Sequence, residues 1–438
     1  MTDPVLQEWQ RSTAPRRFWL DGGGARDWSG RRSILGVLEP DDVSLTYSAV
    51  RREVTRHASG RSEVVGDDVF EVLSRELEDG GERDQWFGYL GYACRPDLPA
   101  RLTPDAPGAV PDAVWMRPSR VRMVDHPAAV SPPGWRNCRS STEIPADKGR
   151  FHHPGGETGP VPPAYRAAFD RVQERLHAGD TYEVNLTHRV EVDSELEPLA
   201  AYLRLRELNP APYAGFLQHD VPGARAWLLS SSPERYAMVD GDGVLETKPI
   251  KGTTPRSDDR VEDEEHRRRL ATDEKYRAEN LMIVDLLRHD VASVCEPGSV
   301  EVPQLMEVES YASVHQLVST VRGRLREDVG TVEALRALFP AGSMTGAPKL
   351  RTMEVIEEVE ATPRGVYAGA FGWVSGDGRA DLGVVIRSLV TGGDGRYVLG
   401  TGGGITVLSD PAEEHAEAEL KAARLLQALA RPAREGDS

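Results

Sequence analysis

The sequence predicts an α+β fold in which antiparallel groups of strands are separated by helices. Apolar residues alternate with period two in runs such as TYEVNLTHRVEV and RYVLGTGGGITV. The segment ARAWLLSSSPERYAMVDGDGVLETKPIKGT holds two or three strands joined by a Gly-Asp-Gly turn, which fits antiparallel neighbours. Helical periodicity falls between such groups rather than after every strand, which argues against a Rossmann-like alternation.

Along the chain, residues 1–135 mix turn residues with short strand-like runs at Ser33–Leu38, Val43–Tyr47 and Trp86–Tyr92. Residues 136–162 are polar and rich in Gly and Pro, and read as an exposed linker or long loop. His152 and His153 within it have no further ligand types beside them and read as solvated. From Pro163 to about residue 431 the pattern is regular. AYRAAFDRVQERLHAGD is helical with a Gly stop, and DEKYRAENLMIVDLLRHDVASV predicts a long helix. LRTMEVIEEVE predicts another helix after a Gly/Pro-rich loop. GVYAGAFGWVS, ADLGVVIRSLVTG and RYVLGTGGGITV predict strands, and a last helix starts at Pro411. Residues 432–438 read as a tail.

Composition excludes several classes. With 438 residues the chain forms one large domain or two. A net charge of -17 argues against a nucleic-acid binder. Three distant cysteines, Cys94, Cys138 and Cys295, indicate neither a disulfide framework nor a zinc site. No apolar run reaches the ~18 residues of a membrane span, and the N-terminus lacks a secretory apolar core. The cytosol is therefore the expected location, with no membrane partner.

Several side chains invite a chemical reading. The run Gly400-Thr401-Gly402-Gly403-Gly404-Ile405 lacks the third glycine of a dinucleotide loop and continues as a strand, so that reading fails. It serves either close approach of backbone to a ligand carboxylate or a tight bend. Glu414, Glu417 and Lys421 share one face of the last helix, either as a solvated face with a Glu417–Lys421 pair or as a site. Glu279 stands on the apolar side of its helix, where a carboxylate needs an ion pair or a metal. Lys251, in KPIKGTTPR, leaves a strand for a turn and alone would read as a snorkelling surface lysine. Glu234, in SSSPERY, alone would read as an exposed turn acid.

Together these segments resemble the signature blocks of the chorismate-utilising enzymes, closest to aminodeoxychorismate synthase component I. The blocks run in order from GDTYEVNLT through SSSPERY, KPIKGTTPR, RAENLMIVDLLR, YASVHQLVSTVRGRL and FPAGSMTGAPK to GTGGGITVLSDPAEEHAEAEL, across about residues 163–430. The resemblance implies two packed antiparallel sheets flanked by helices, with residues 1–135 as the component I-like N-terminal region. It implies Mg²⁺ held by Glu279, Glu414 and Glu417, for which carboxylate oxygens are suited. It implies that Asn185, Gly252, Thr253, Gly402 and Gly404 line the substrate cleft, that Tyr367 and Arg387 grip the enolpyruvyl carboxylate, that Lys421 neutralises the anionic site and that His315 lies near the leaving hydroxyl. Asn185 stands where water-using members carry a lysine, which disfavours water as nucleophile.

Lys251 matches the lysine of the aminodeoxychorismate synthases. There the amine attacks C2 of chorismate, the 4-hydroxyl leaves with a proton from the acid matched by Glu234, and ammonia adds at C4. A nucleophilic lysine is expected to have a lowered pKa, aided by Mg²⁺ and Lys421. Glu234 is expected to be raised by the substrate and neighbouring carboxylates. Alternatives are an anthranilate or 2-amino-2-deoxyisochorismate synthase, against which Lys251 argues, and a non-catalytic subunit. Glu183 replaces a glutamine common in bacterial relatives, Tyr276 an acid and His289 an asparagine. With no glutaminase motif in the chain, ammonia is expected from a glutamine amidotransferase partner.

Overall fold

The computed structural model describes residues 4–22, 32–106, 108–126, 161–311 and 314–430. The linker reading of 136–162 lies outside the described residues except for Val161 and Pro162, as do Cys138, His152, His153 and the tail 432–438.

Two antiparallel sheets carry the fold. The nine-stranded sheet runs through Gly346–Ala347, Glu183–Asp193, Arg396–Ile405, Ser388–Thr391, Ala226–Ser232, Tyr213–His219, Arg16–Asp21, Arg32–Val37 and Val121–Asp125. The twelve-stranded sheet runs from Ile250–Pro255 through Val314–Arg324, Val244–Lys248, Arg235–Val239, Ala380–Val384, Ala370–Ser375 and Gln85–Leu90. It continues through Ala113–Arg117, Val43–Ser48, Glu53–Ala58 and Arg61–Gly66, and Glu301–Ser310 pairs with Val314–Arg324. Strands of the N-terminal region are built into both sheets, since Arg16–Asp21 pairs with Tyr213–His219 and Gln85–Leu90 with Ala370–Ser375.

Successive side chains of a strand point to opposite faces, and buried apolar residues lie on both faces of each sheet. The inner faces meet in a core that includes Phe18, Leu217 and Leu228 from one sheet and Phe87, Tyr89 and Phe371 from the other. Phe18 and Phe87 stack across it with centroids 4.1 Å apart. Helices cover the outer faces. Pro198–Leu208 and Pro411–Leu429 pack on the smaller sheet, and Val69–Glu78, Glu274–Ala292 and Thr331–Leu338 on the larger. Among the described residues no helix is long and apolar enough to cross a membrane.

Three local readings change. ADLGVVIRSLVTG is not one strand: Ala380–Val384 belongs to the larger sheet and Ser388–Thr391 to the smaller. The chain crosses between them and Arg387 takes φ 51°, unusual for a non-glycine residue. Alternation persists through such a crossing, so the pattern cannot reveal it. The run Trp86–Tyr92 stops as a strand at Leu90, because Gly91 and Tyr92 donate instead to Asp112 and Gly365 carbonyls. Helices Pro198–Leu208 and Arg260–Thr272 add to those read from periodicity. The second buries only Leu270 and so lacks an apolar stripe.

Candidate active site

Lys251 owes its position to a strand irregularity. Val244–Lys248 and Ile250–Pro255 both pair with Val314–Arg324 and keep one register from Thr247↔Val321 to Ile250↔Val318. The register then shifts between Ile250 and Thr253. Gly252 sits in this bulge at φ +83°, where a Cβ would lie 2.9 Å from Leu270 and 3.0 Å from the Tyr276 ring. Bulges re-aim side chains, and here Lys251 is buried and reaches the other sheet. Its ammonium forms an ion pair with Glu183 Oε1. Glu183 and Asn185 share one face of Glu183–Asp193, whereas Val184 and Leu186 pack into the core beneath the Pro163–His177 helix.

Two further acids surround the lysine. Glu234 lies where the chain passes from Ala226–Ser232 in one sheet to Arg235–Val239 in the other. It is 5% exposed, and burial raises its carboxyl to about 7 against the opposing pull of Lys251. Glu279 is buried on the Glu274–Ala292 helix; burial raises it to about 7, opposed by Lys251, and its Oε1 has no hydrogen-bond partner. For Lys251, burial pulls the amine down, but Glu183 and then Glu279 outweigh it and the net shift is upward. This reverses the expectation of a lowered lysine. The raised Glu234 agrees with expectation, but its main cause is desolvation by the protein.

The glycine run is neither a bend nor a loop. It belongs to the straight strand Arg396–Ile405, paired residue by residue with Glu183–Asp193. An added Cβ at Gly404 would collide with Glu183 Oε1 and lie 3.1 Å from Lys251 Nζ. At Gly403 it would lie 3.3 Å from Glu414 Oε2 and 3.6 Å from Lys421 Nζ. The Gly402 carbonyl accepts from Lys421 at 2.9 Å. Glu414 is 3% exposed, accepts from Ser409 at 2.8 Å and pairs with Lys275 at 2.8 Å. Glu417 is exposed, pairs with Lys421 at 2.7 Å, and is lowered to about 2, chiefly by that lysine. The helix face is thus partly the surface pair and partly a buried acid. Among the described residues, no three His, Cys, Asp or Glu side chains are gathered as a metal cage.

Arg387, at the sheet crossing, feels Tyr367, Arg424 and Glu417 and is lowered mainly by burial. Tyr367 is buried, with Arg189 stacked 4.6 Å from its ring centroid. A Cβ at Gly400 would strike this ring. Asn185 is buried opposite Gly404, with its Nδ2 3.8 Å from Met344 Sδ. His315 is buried apart from the acids: Nδ1 meets Ser310 Oγ at 2.7 Å and Nε2 meets Asp263 at 3.1 Å. Thr253 is exposed. The structure therefore joins Lys251, Glu234, Glu279 and Gly404 in one cluster and Gly402, Glu414, Glu417 and Lys421 in an adjoining one. Sequence reasoning missed the Glu183 pairing and Lys275. The available signals were the shared strand face of Glu183 and Asn185, and the spacing of Lys275 one turn before Glu279.

Comparison with known proteins places the chain by family and fold. The chain is 42% identical over 452 aligned residues to an aminodeoxychorismate synthase of Streptomyces griseus, covering 95% of this chain and 61% of that protein. It is 44% identical to an aminodeoxychorismate synthase component 1 of Salmonella typhimurium, covering 60% of this chain and 57% of that one. The chain thus spans about three-fifths of the length of these relatives. Among solved structures, anthranilate synthase component I of Streptococcus pneumoniae superposes with a TM-score of 0.71 at 25% identity, covering 97% of both chains. A family profile described as chorismate binding enzyme matches residues 16–427, the span that contains both sheets and every candidate residue above. The chain belongs to the chorismate binding enzyme family.

Proposed function

We propose that this chain aminates chorismate at C4, giving 4-amino-4-deoxychorismate, with Lys251 as a covalent nucleophile. The observation that carries the reading is a buried lysine amine, aimed across the sheets by a bulge and flanked by a carboxyl held near neutrality. The Lys251 amine forms a bond to C2 as both conjugated ring double bonds shift by one position and the C4–O bond breaks. Glu234 gives its proton to the departing oxygen, which leaves as water. Ammonia then bonds at C4, both ring double bonds shift back and the C2–N bond breaks, freeing Lys251. Tyr367 and Arg387 hold the enolpyruvyl carboxylate, Arg387 as a two-pronged donor. Asn185 and the flat glycine strand line the ring. Ser310 and Asp263 occupy the two ring nitrogens of His315.

The acids suit Mg²⁺ by donor chemistry, while their side chains are not gathered into one cage among the described residues. The donors are hard carboxylate oxygens, and the buried Glu279 Oε1 lacks any other partner. Glu279, Glu414 and Glu417 would hold the ion, which would neutralise the ring carboxylate of the substrate. The names of the component 1 relatives support a second subunit, for which a glutamine amidotransferase supplying ammonia is the fitting chemistry. The test is to incubate the pure chain with chorismate, Mg²⁺ and an ammonium salt, with and without that subunit. A 4-amino product, lost in Lys251→Ala, is expected. Anthranilate or a 2-amino product would sink the C4 reading, and retained C4 amination in Lys251→Ala would sink the covalent role. No turnover under any of these conditions would favour a non-catalytic subunit.

A further inference from the structure

We propose that Glu183 is the positioning residue for Lys251 and the acceptor of its proton. The inference rests on the covalent role of Lys251 argued above. The lysine amine can attack carbon only after one N–H bond breaks, because its lone pair is otherwise committed. In the resting site the ammonium is buried and paired with Glu183 rather than open to solvent. A base in direct contact is therefore needed. Glu183 is that contact: it is 1% exposed, and its Oε1 binds Lys251 Nζ across the gap between the sheets. Its Oε2 is buried with no hydrogen-bond partner among the described residues, so this carboxylate is only half satisfied.

The other charged groups around the lysine are placed for different work. Glu279 faces it from the Glu274–Ala292 helix, Glu417 from the last helix and Glu234 from the sheet crossing, while Lys275 and Glu414 face Glu279. Glu234 supplies a proton rather than taking one, and no hydrogen bond joins Glu279 Oε1 to any group. The glycine strand contributes no side chain, and the collision at Gly404 shows that the bare backbone leaves the room in which the pair sits. The balance is simple. The proton passes from Nζ to Oε1, the freed lone pair forms the C2–N bond, and Glu183 stays neutral while the adduct lasts. When the C2–N bond breaks, Lys251 leaves as the amine and recovers the proton from Oε1. Glu234 is reprotonated from solvent.

The test compares wild type, Glu183→Gln, Glu183→Asp and Lys251→Ala in kcat and KM for chorismate. Free ammonia is held constant between about pH 6.5 and 8. With Glu183→Gln the lysine must lose its proton to solvent. At the acid end kcat should fall about 100-fold with KM little changed. The ratio of variant to wild-type kcat/KM should then rise about tenfold per pH unit, a comparison that cancels the titration of Glu234. Glu183→Asp keeps a carboxylate and should give a ratio that is flat with pH. A flat ratio for Glu183→Gln, or full activity at the acid end, overturns the inference while Lys251→Ala stays inactive. If Glu183→Gln does not fold, a Glu183→Asp ratio that climbs with pH overturns it instead. Full C4 amination by Lys251→Ala would overturn the covalent reading itself.

Discussion

Glu234→Gln separates the chemical role of this residue from its cost to the fold. Burial lifts the carboxyl from 4.5 to about 7, a difference corresponding to about 3 kcal/mol between its two protonation states. The unfolded chain releases this proton near 4.5, whereas the folded protein keeps it until about 7. Between those values the native state binds more protons than the unfolded one, so stability falls as pH rises and the loss is complete above the folded pKa. Glutamine has nearly the same shape and no charge. The variant should therefore unfold at higher denaturant than wild type at pH 8, by up to about 3 kcal/mol, and match it at about pH 4. Activity should move the other way. Losing a positioned acid costs about 10²–10⁴-fold in kcat. In wild type kcat should decline as pH rises through about 7 at fixed free ammonia, and the residual rate of the variant should lack that limb. Urea unfolding at the two pH values and steady-state rates across the range read both effects. A variant that keeps kcat within a few-fold refutes the acid role. A variant with no stability gain at pH 8 refutes the buried, proton-retaining carboxyl.

Two further substitutions probe the walls of the site. Gly404→Ala places a methyl against Glu183 Oε1 and 3.1 Å from Lys251 Nζ, so it must displace the pair. It should lower kcat by at least about tenfold with KM for chorismate less affected, and unchanged kcat would show that the pair is not part of the chemistry. Arg387→Ala removes a guanidinium that has no carboxylate partner within ion-pair distance among the described residues. It should raise KM about 10- to 100-fold, from a loss of about 1.5–3 kcal/mol of charged hydrogen bonding, with kcat falling less. An unchanged KM would exclude Arg387 as the carboxylate grip.

The two layers of the site differ in how far they could be read in advance. Spacing alone placed Glu414, Glu417 and Lys421 on one helix face, because a helix has fixed periodicity. It could not tell that Glu414 is buried against Lys275 while Glu417 is exposed, since that depends on which strand the helix covers. Antiparallel grouping was legible in the turns and the alternation. The crossing at Arg387 was not, because both sides of a sheet switch alternate alike. The same limit explains the lysine. Seen singly, Lys251 stands two residues after Pro249 and just before Gly252, which is what an exposed turn looks like. Its burial comes from the bulge at Gly252 and from an acid 68 residues earlier in the chain, neither of which lies within a local window. Direction of charge was the least legible property. Desolvation or a positive neighbour was expected to lower the lysine; burial does pull it down, but Glu183 and Glu279 outweigh that and the net shift is upward. A lysine buried against Glu183 has an acceptor for its proton in direct contact, and that contact is what the proposed test probes.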